Sequence, residues 1–196
     1  MSGRVEPEWE MVTVAFVDIR GFTSFSDRST AREAVDFLND FFELVIPVVT
    51  DHDGHVNKLT GDGLLAVFGA PLRSPDHADL AVSAGREILA AVASQFGDRC
   101  RIGIGINSGL VLIGTVGGGG YAELAVIGDP VNVAARIQDA TRELGEELLL
   151  TEATRCLLAD PGAGLTERAR ITLRGKPKPV AVYALSSRNG SRTPAA

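Results

Sequence analysis

Two aspartates, each at the end of an apolar run and close to glycine, restrict the fold of this chain more than any other feature. Asp18 follows the Val- and Phe-rich run 11–17, and this run predicts a largely buried strand. Asp62 lies between Gly61 and Gly63, which predicts the turn of a hairpin. Ionised carboxylates are costly to bury unless they are paired or metal-bound, so the pair favours a magnesium site. The alternatives are a solvated strand end for Asp18 and a simple turn former for Asp62.

Length, charge and cysteine content restrict the class of protein. A chain of 196 residues fits one domain, which we place at 9–185, with flexible tails at 1–8 and 186–196. The net charge of −6 disfavours a nucleic-acid partner. Cys100 and Cys156 lack metal or disulfide spacing, which indicates reduced thiols and a cytoplasmic protein. No apolar run approaches the ~20 residues of a membrane span, so we expect no direct membrane insertion.

Helical and strand patterns alternate along the chain. Helices are predicted at 30–50, 76–96, 129–144 and 152–159, with a tight turn and short helix at 20–27, and strands at 11–18, 55–60, 63–69, 101–107, 110–116, 147–151, 168–174 and 180–185. This order predicts an α+β fold with helices on one face of a sheet.

Three segments resemble the signature segments of the class III nucleotidyl cyclase catalytic domain, the family of adenylyl and guanylyl cyclases. They are VAFVDIRGFTSFS at 14–26, NKLTGDGLLAVFGAP at 57–71 and IGDPVNVAARIQ at 127–138. The resemblance extends in order from about Met11 to Leu185, and it identifies 9–185 as a catalytic domain of this family. It implies a ferredoxin-like βαββαβ core with additional C-terminal strands and a helix, in which helices pack on a mostly antiparallel sheet.

The resemblance also implies an activity, the conversion of ATP to 3′,5′-cyclic AMP and pyrophosphate. In the family, the residues that match Asp18, Asp62 and the backbone carbonyl of Ile19 bind two Mg²⁺ or Mn²⁺ ions per active site. The family's loop over the triphosphate matches the segment 20–23, with Arg20 followed by Gly21, Phe22 and Thr23. The alternative for Gly21 is a simple turn residue.

The third signature segment begins a predicted helix, with Asp129 as N-cap and Pro130 at its first position. Asn132 and Arg136 are then one turn apart on the same face. They match the family's Asn-x-x-x-Arg pair, in which Asn orients the ribose and Arg stabilises the charge that develops on phosphate. The alternative is a solvated helix face.

Substrate-binding positions depart from the family pattern. Lys58 matches the lysine that reads adenine in adenylyl cyclases, but its usual Asp or Thr partner is replaced by Ala125, which has no hydrogen-bonding side chain. Ile127, at the start of the third signature segment, is also assigned to the substrate site. Near the C-terminus, Arg174 takes the place of the family's triphosphate-binding lysine, and Lys176 either assists it or is a solvated loop charge.

The family builds its active sites across a head-to-tail homodimer, and we expect the same here. The expected division gives one subunit Asp18, Asp62 and Lys58, and the other Asn132, Arg136 and Ala125. A guanylyl or relaxed-specificity cyclase is the first alternative, because of Ala125. The second is a weakly active, nucleotide-binding regulatory module. The three histidines show no metal-ligand spacing, and no role is assigned to them.

Overall fold

The computed structural model describes residues 6–119, 121–162, 164–173 and 178–185, which form eight strands and five α-helices. The strands are β1 (Glu8–Ile19), β2 (Gly54–Leu59), β3 (Gly63–Phe68), β4 (Ile102–Gly118), β5 (Tyr121–Ile127), β6 (Leu148–Thr151), β7 (Leu165–Ile171) and β8 (Val180–Leu185). The helices are α1 (Phe22–Ser26), α2 (Ala31–Asp51), α3 (His77–Phe96), α4 (Asp129–Glu143) and α5 (Glu152–Arg155). Strand β1 begins at the last residue of the predicted N-terminal tail. The predicted C-terminal tail, 186–196, lies outside the described residues.

A single eight-stranded sheet organises the fold. Its order is β2-β3-β1-β4-β6-β8-β7, and β5 pairs with the outer part of β4. Neighbouring strands are antiparallel, except that β4 and β6 are parallel. The segment from β1 to β4 has the βαββαβ order of a ferredoxin-like core. The predicted α+β fold with extra C-terminal strands and a helix is therefore confirmed. The prediction that helices lie on one face of the sheet is wrong, because α2 and α3 cover one face and α4 packs on the other.

Strand β1 is central and covered on both faces, which explains why its sequence is a nearly continuous apolar run. Ala15 and Val17 belong to the core under α2 and α3, whereas Val12 and Val14 belong to a second core that includes residues of α4. Side chains alternate along a strand, so Asp18 lies on the face that α4 covers.

Glycines on one face of β4 let α4 lie directly against the strand. A Cβ atom at Gly103 would lie 2.4 Å from Thr141 Oγ1, and one at Gly109 would lie 2.6 Å from Pro130 Cγ. Both distances are well inside van der Waals contact, so a larger residue would push the helix away from the sheet. Helix α4 therefore starts over Gly109 and ends over Gly103, which pairs with Asp18.

Strand β4 differs from the sequence prediction. The segments 101–107 and 110–116 were predicted as two strands, but Ile102–Gly118 is one continuous strand. Gly109, which lies in the predicted gap between them, pairs with Val12 and makes room for Pro130. Helix α5 is also shorter than the predicted 152–159, because it ends at Arg155.

Candidate active site

The fold brings Asp18 and Asp62 together, as their sequence positions predicted. Asp18 pairs with Gly63 across β1 and β3, and the backbone N–H of Ile19 donates to the Asp62 carbonyl at 3.1 Å. A Cβ atom at Gly63 would lie 2.2 Å from the Val17 carbonyl oxygen and 3.0 Å from Asp18 Oδ1. Glycine at position 63 is thus required by the close approach of the two strands beside Asp18.

Burial and like charge change the titration of Asp18. Its pKa rises from 3.8 to about 6, chiefly because the carboxylate is desolvated and also because Asp62 and Asp139 add negative charge. A carboxylate in this state gains from a nearby cation, which would offset both effects.

The two aspartates open into a polar cavity of about 230 Å³. Its lining comes from the ends of β1 and β3, the following loop and the last turns of α4: Asp18, Ile19, Arg20, Gly21, Phe22, Thr23, Ser24, Asp62, Gln138, Asp139, Thr141 and Arg142. Gly21 has φ 74°, a conformation that favours glycine, and it begins the short helix α1. The predicted triphosphate loop therefore shares one cavity with the predicted metal ligands.

Arg20 belongs to the predicted triphosphate loop and lines the cavity, but no role was predicted for its side chain. Its Nη2 donates to the Glu146 carbonyl, which ties the loop to the segment after α4. Its Nε is buried and has no hydrogen-bond partner among the described residues. Burial is the main cause that lowers the Arg20 pKa, and the charge of Arg101 lowers it further. The sequence signal was a cation between Ile19 and Gly21, but its contact with Glu146 depends on the tertiary fold.

Asn132 and Arg136 lie on α4 but do not line this cavity. Asn132 is exposed and Arg136 is half-buried. Asn132 lies two helical turns, about 10 Å, before Asp139, the α4 residue in the cavity on the same helix face. Within one chain, the predicted transition-state pair is thus separated from the cavity of the aspartates.

Lys58 and Ala125 belong to neighbouring segments of the same chain. Asn57 Nδ2 donates to the Leu124 carbonyl at 2.6 Å, and these residues directly precede Lys58 and Ala125. Strand β5 then continues through Ile127, whose side chain is 57% exposed, to the start of α4. This contact does not fit the expectation that Lys58 and Ala125 come from different subunits.

The remaining predicted positions, Arg174 and Lys176, lie outside the described residues. The segment before them is anchored, because Leu173 is buried at 5% exposure and packs in the core beside α4.

A family model described as the adenylate and guanylate cyclase catalytic domain matches residues 5–187 of this chain. The chain belongs to this family. The family resemblance of the three signature segments is thereby confirmed.

Curated relatives of this cyclase domain are longer proteins. The uncharacterized proteins Rv1320c and Rv1318c of Mycobacterium tuberculosis are 39% and 37% identical to it over 175 residues, 86% of the chain. The chain spans 30% and 31% of the length of these two relatives.

Solved cyclase structures share the fold across nearly the whole chain. The adenylyl cyclase CyaB from P. aeruginosa superposes with a TM-score of 0.84 at 27% identity, covering 96% of this chain and 98% of that one. The guanylyl cyclase Cya2 gives 0.76 at 28% identity, covering 91% and 92%. The catalytic core of a rhodopsin-guanylyl cyclase with converted specificity, in complex with ATPαS, gives 0.81 at 27% identity, covering 95% and 100%. Adenylyl and guanylyl cyclases both occur among these neighbours.

Cyclases of this family generally depend on divalent metal ions, and the donor set fits that requirement. No group of three or more His, Cys, Asp or Glu side chains suited to a metal occurs in the part of the chain that the structure describes. Asp18 and Asp62 form a two-carboxylate set, which matches Mg²⁺ held by one or two carboxylates together with substrate phosphates. The donors are hard oxygens and therefore disfavour zinc.

The described helices include none that combines the length and apolar character needed to cross a membrane.

Proposed function

We propose that this domain is an adenylyl cyclase that converts ATP to 3′,5′-cyclic AMP and pyrophosphate, with two active sites in a head-to-tail homodimer. The observation that carries the proposal is the Asp18–Asp62 pair, which shares one cavity with the loop Gly21–Thr23. In this arrangement a metal-binding pair and a phosphate-binding loop meet at one end of the sheet.

Asp18, Asp62 and the Ile19 carbonyl would hold two Mg²⁺ or Mn²⁺ ions, which supply activation of the ribose 3′-hydroxyl and neutralise charge on the α-phosphate and the departing pyrophosphate. Backbone N–H groups of the loop Gly21–Thr23 are suited to orienting the β- and γ-phosphates. The guanidinium of Arg20 adds positive charge to the wall of the same cavity. Arg174 and Lys176 remain proposed triphosphate contacts on the strength of the resemblance.

A second subunit supplies the other half of each site. Asn132 orients the ribose and Arg136 stabilises the charge on the transferred phosphoryl group, a role to which a guanidinium is well suited. Because Asn57 contacts Leu124 and β5 leads directly into α4, we now assign Lys58 and Ala125 to this same half. Two-fold symmetry then creates two equivalent sites.

The preference for ATP rests on Lys58, which is exposed on β2 and matches the adenine-reading lysine. A guanylyl or relaxed-specificity cyclase is the second candidate, because the methyl group of Ala125 neither accepts a bond from the adenine amino group nor rejects a guanine carbonyl. The structural neighbours support both candidates, since they include the adenylyl cyclase CyaB and the guanylyl cyclase Cya2. A weakly active regulatory module would need a defective catalytic set, and all of the matched catalytic residues are present in the sequence.

The test is direct. Purified protein is incubated with Mg²⁺ or Mn²⁺ and with ATP or GTP, and the products are separated by chromatography. We expect cyclic AMP and pyrophosphate in equal amounts, with a slower reaction on GTP. Predominant cyclic GMP would establish the second candidate, and no cyclic nucleotide with either substrate would favour the regulatory module.

The shared site is tested with heterodimers, purified through two different tags, of an Asp18→Ala subunit and an Arg136→Ala subunit. One of the two sites then takes its aspartates from the Arg136→Ala chain and its Asn132 and Arg136 from the Asp18→Ala chain, so it carries neither substitution. We expect about half of the wild-type activity per dimer. Purified heterodimers that remain as inactive as the parent homodimers would overturn the shared site.

A further inference from the structure

A network of buried polar side chains crosses the sheet close to the start of α4. Its members are hydrogen-bonded in the order His77, Thr13, Ser108, Thr154, Thr151 and Asn107, and the last donates to the Pro130 carbonyl. All six side chains belong to residues of 6% exposure or less. This polar network thus connects α3, β1, β4 and α5 with the first turn of α4.

Asn107 is the last member of this polar network, and its amide has a defined orientation. Thr151 Oγ1 accepts from the backbone N–H of Thr154 at 3.3 Å and donates its own proton to Asn107 Oδ1 at 2.7 Å. The amide nitrogen of Asn107 therefore faces α4, where it donates to the Pro130 carbonyl at 3.0 Å. Both polar atoms of a residue with 5% exposure are satisfied, as a buried amide requires.

Helix α4 starts at a residue that has no side chain to cap it. Its N-cap is Gly128 rather than the predicted Asp129, which is the first residue of the helix. A helix start without a side-chain cap depends on contacts from other elements for its exact position. The Asn107 amide provides such a contact from β4, and the packing of Pro130 over Gly109 provides another.

We propose that Asn107, oriented by Thr151, is a positioning residue for the transition-state pair Asn132 and Arg136. This inference rests on the proposed function, since it assigns those two side chains to catalysis. Asn132 lies in the first turn of α4, directly after the contact, and Arg136 lies one turn further on. A shift of about 1 Å in the helix start would move both groups, and displacements of that size cost up to ~100-fold in rate.

The test compares the effect of one substitution when it is carried by either of the two chains of the heterodimer. Asn107→Leu has a similar shape but cannot donate to Pro130. In the Asp18→Ala/Arg136→Ala heterodimer it is placed either in the Asp18→Ala chain, whose α4 start, with Asn132 and Arg136, serves the intact site, or in the Arg136→Ala chain, whose α4 start serves the defective one. We expect the first placement to lower kcat about 10-fold or more with little change in KM, and the second to lower it less than about twofold.

A merely structural role for Asn107 would not depend on the chain that carries the substitution. Equal losses for both placements, or no loss in either, would therefore overturn the inference while leaving the shared site intact. If the heterodimer without Asn107→Leu is inactive, the shared site itself is wrong and the inference falls with it.

Thr151 gives a second route if the Asn107→Leu chain does not fold. Thr151→Val removes the hydroxyl that orients Asn107, whereas Thr151→Ser keeps it and is the matched control. We expect Thr151→Val to show the same dependence on placement and Thr151→Ser to retain the rescued activity. Identical behaviour of the two variants would contradict the role of the hydroxyl and, with it, the positioning of α4 through Asn107.

Discussion

The two ends of helix α4 lie in unlike surroundings. Its last turns line the cavity of Asp18 and Asp62, where the strands approach closely at Gly63 and the Asp18 pKa is raised to about 6. Its first turn follows strand β5 in the chain and carries Asn132, which is exposed. We call the first region the aspartate end and the second, with Lys58, Ala125, Asn132 and Arg136, the helix-start end.

The two ends carry different sets of groups. The aspartate end combines carboxylates with two arginines in a cavity that suits metal ions and phosphates, whereas the helix-start end presents Lys58, Asn132 and Arg136. One chain separates them along α4, so under the proposed function neither end is a complete active site by itself. A head-to-tail arrangement of two chains, which we propose, would bring an aspartate end against a helix-start end twice.

The largest expected effect comes from removing a carboxylate at the aspartate end. Asp18→Ala or Asp62→Ala should each lower kcat at least ~100-fold, because each removes a main electrostatic element from the transition state. Cyclic nucleotide formation is measured by chromatography, and folding by circular dichroism. Near-normal turnover by either variant would show that the metal site lies elsewhere.

Asp139→Asn is the matched control in the same cavity. Asp139 adds negative charge near Asp18 but is not an assigned metal ligand, so its neutralisation should cost less than ~10-fold. A loss as large as that of Asp62→Ala would make Asp139 a third ligand and enlarge the aspartate end.

The next effect tests which end contains Lys58. A heterodimer of Asp18→Ala and Lys58→Ala chains should regain at least ~10-fold over its parents, because one site escapes both substitutions. A heterodimer of Lys58→Ala and Arg136→Ala chains should regain nothing, because each site keeps one substitution. The reverse result would return Lys58 to the aspartate end and reinstate the division expected from the sequence.

A smaller effect concerns base selection at the helix-start end. Ala125→Thr or Ala125→Asp should raise the ATP-to-GTP ratio of kcat/KM by about 10-fold, because guanine would then leave a buried polar group unpaired. The control is Ala122→Thr, which is exposed on the same strand and should leave the ratio unchanged. A wild-type ratio already as high as that of the Ala125 variants would mean that other groups read the base.

The smallest effect is on stability at the aspartate end. The Asp18 pKa is raised in the folded state, so the folded protein binds more protons than the unfolded chain between about pH 4 and 6, and the ionised carboxylate destabilises the fold above that range. In EDTA, Asp18→Asn should therefore raise Tm by about 2 °C at pH 8, and the difference should vanish towards pH 4.

The same two proteins can be compared with Mg²⁺ or Mn²⁺ added in place of EDTA. Either ion should raise the Tm of the wild type more than that of Asp18→Asn, because only the wild type keeps both carboxylates. Equal metal-induced shifts in the two proteins would contradict Asp18 as a ligand.

Sequence patterns predicted the elements better than the contacts between them. The apolar run before Asp18 and the hairpin around Asp62 follow from local signals, and both are confirmed as strands β1, β2 and β3. The continuity of β4 was not predictable, because Gly109 is required by Pro130, a residue far along the chain. The same is true of Arg20 and Glu146, whose contact joins two distant segments.

Local residue order determined the fold class, the family and the position of Asp18 and Asp62 at the ends of strands, since strand periodicity and a tight turn act over short distances in the chain. The pairing of β1 with β3 then brings the two aspartates together. Only the tertiary structure decided that Lys58 and Ala125 lie together, that the Asn132–Arg136 pair lies outside the cavity, and that Asn107 holds the start of α4. Those three facts depend on the packing of β5 and α4 against the sheet, which is set by shape and hydrogen bonding between segments far apart in sequence.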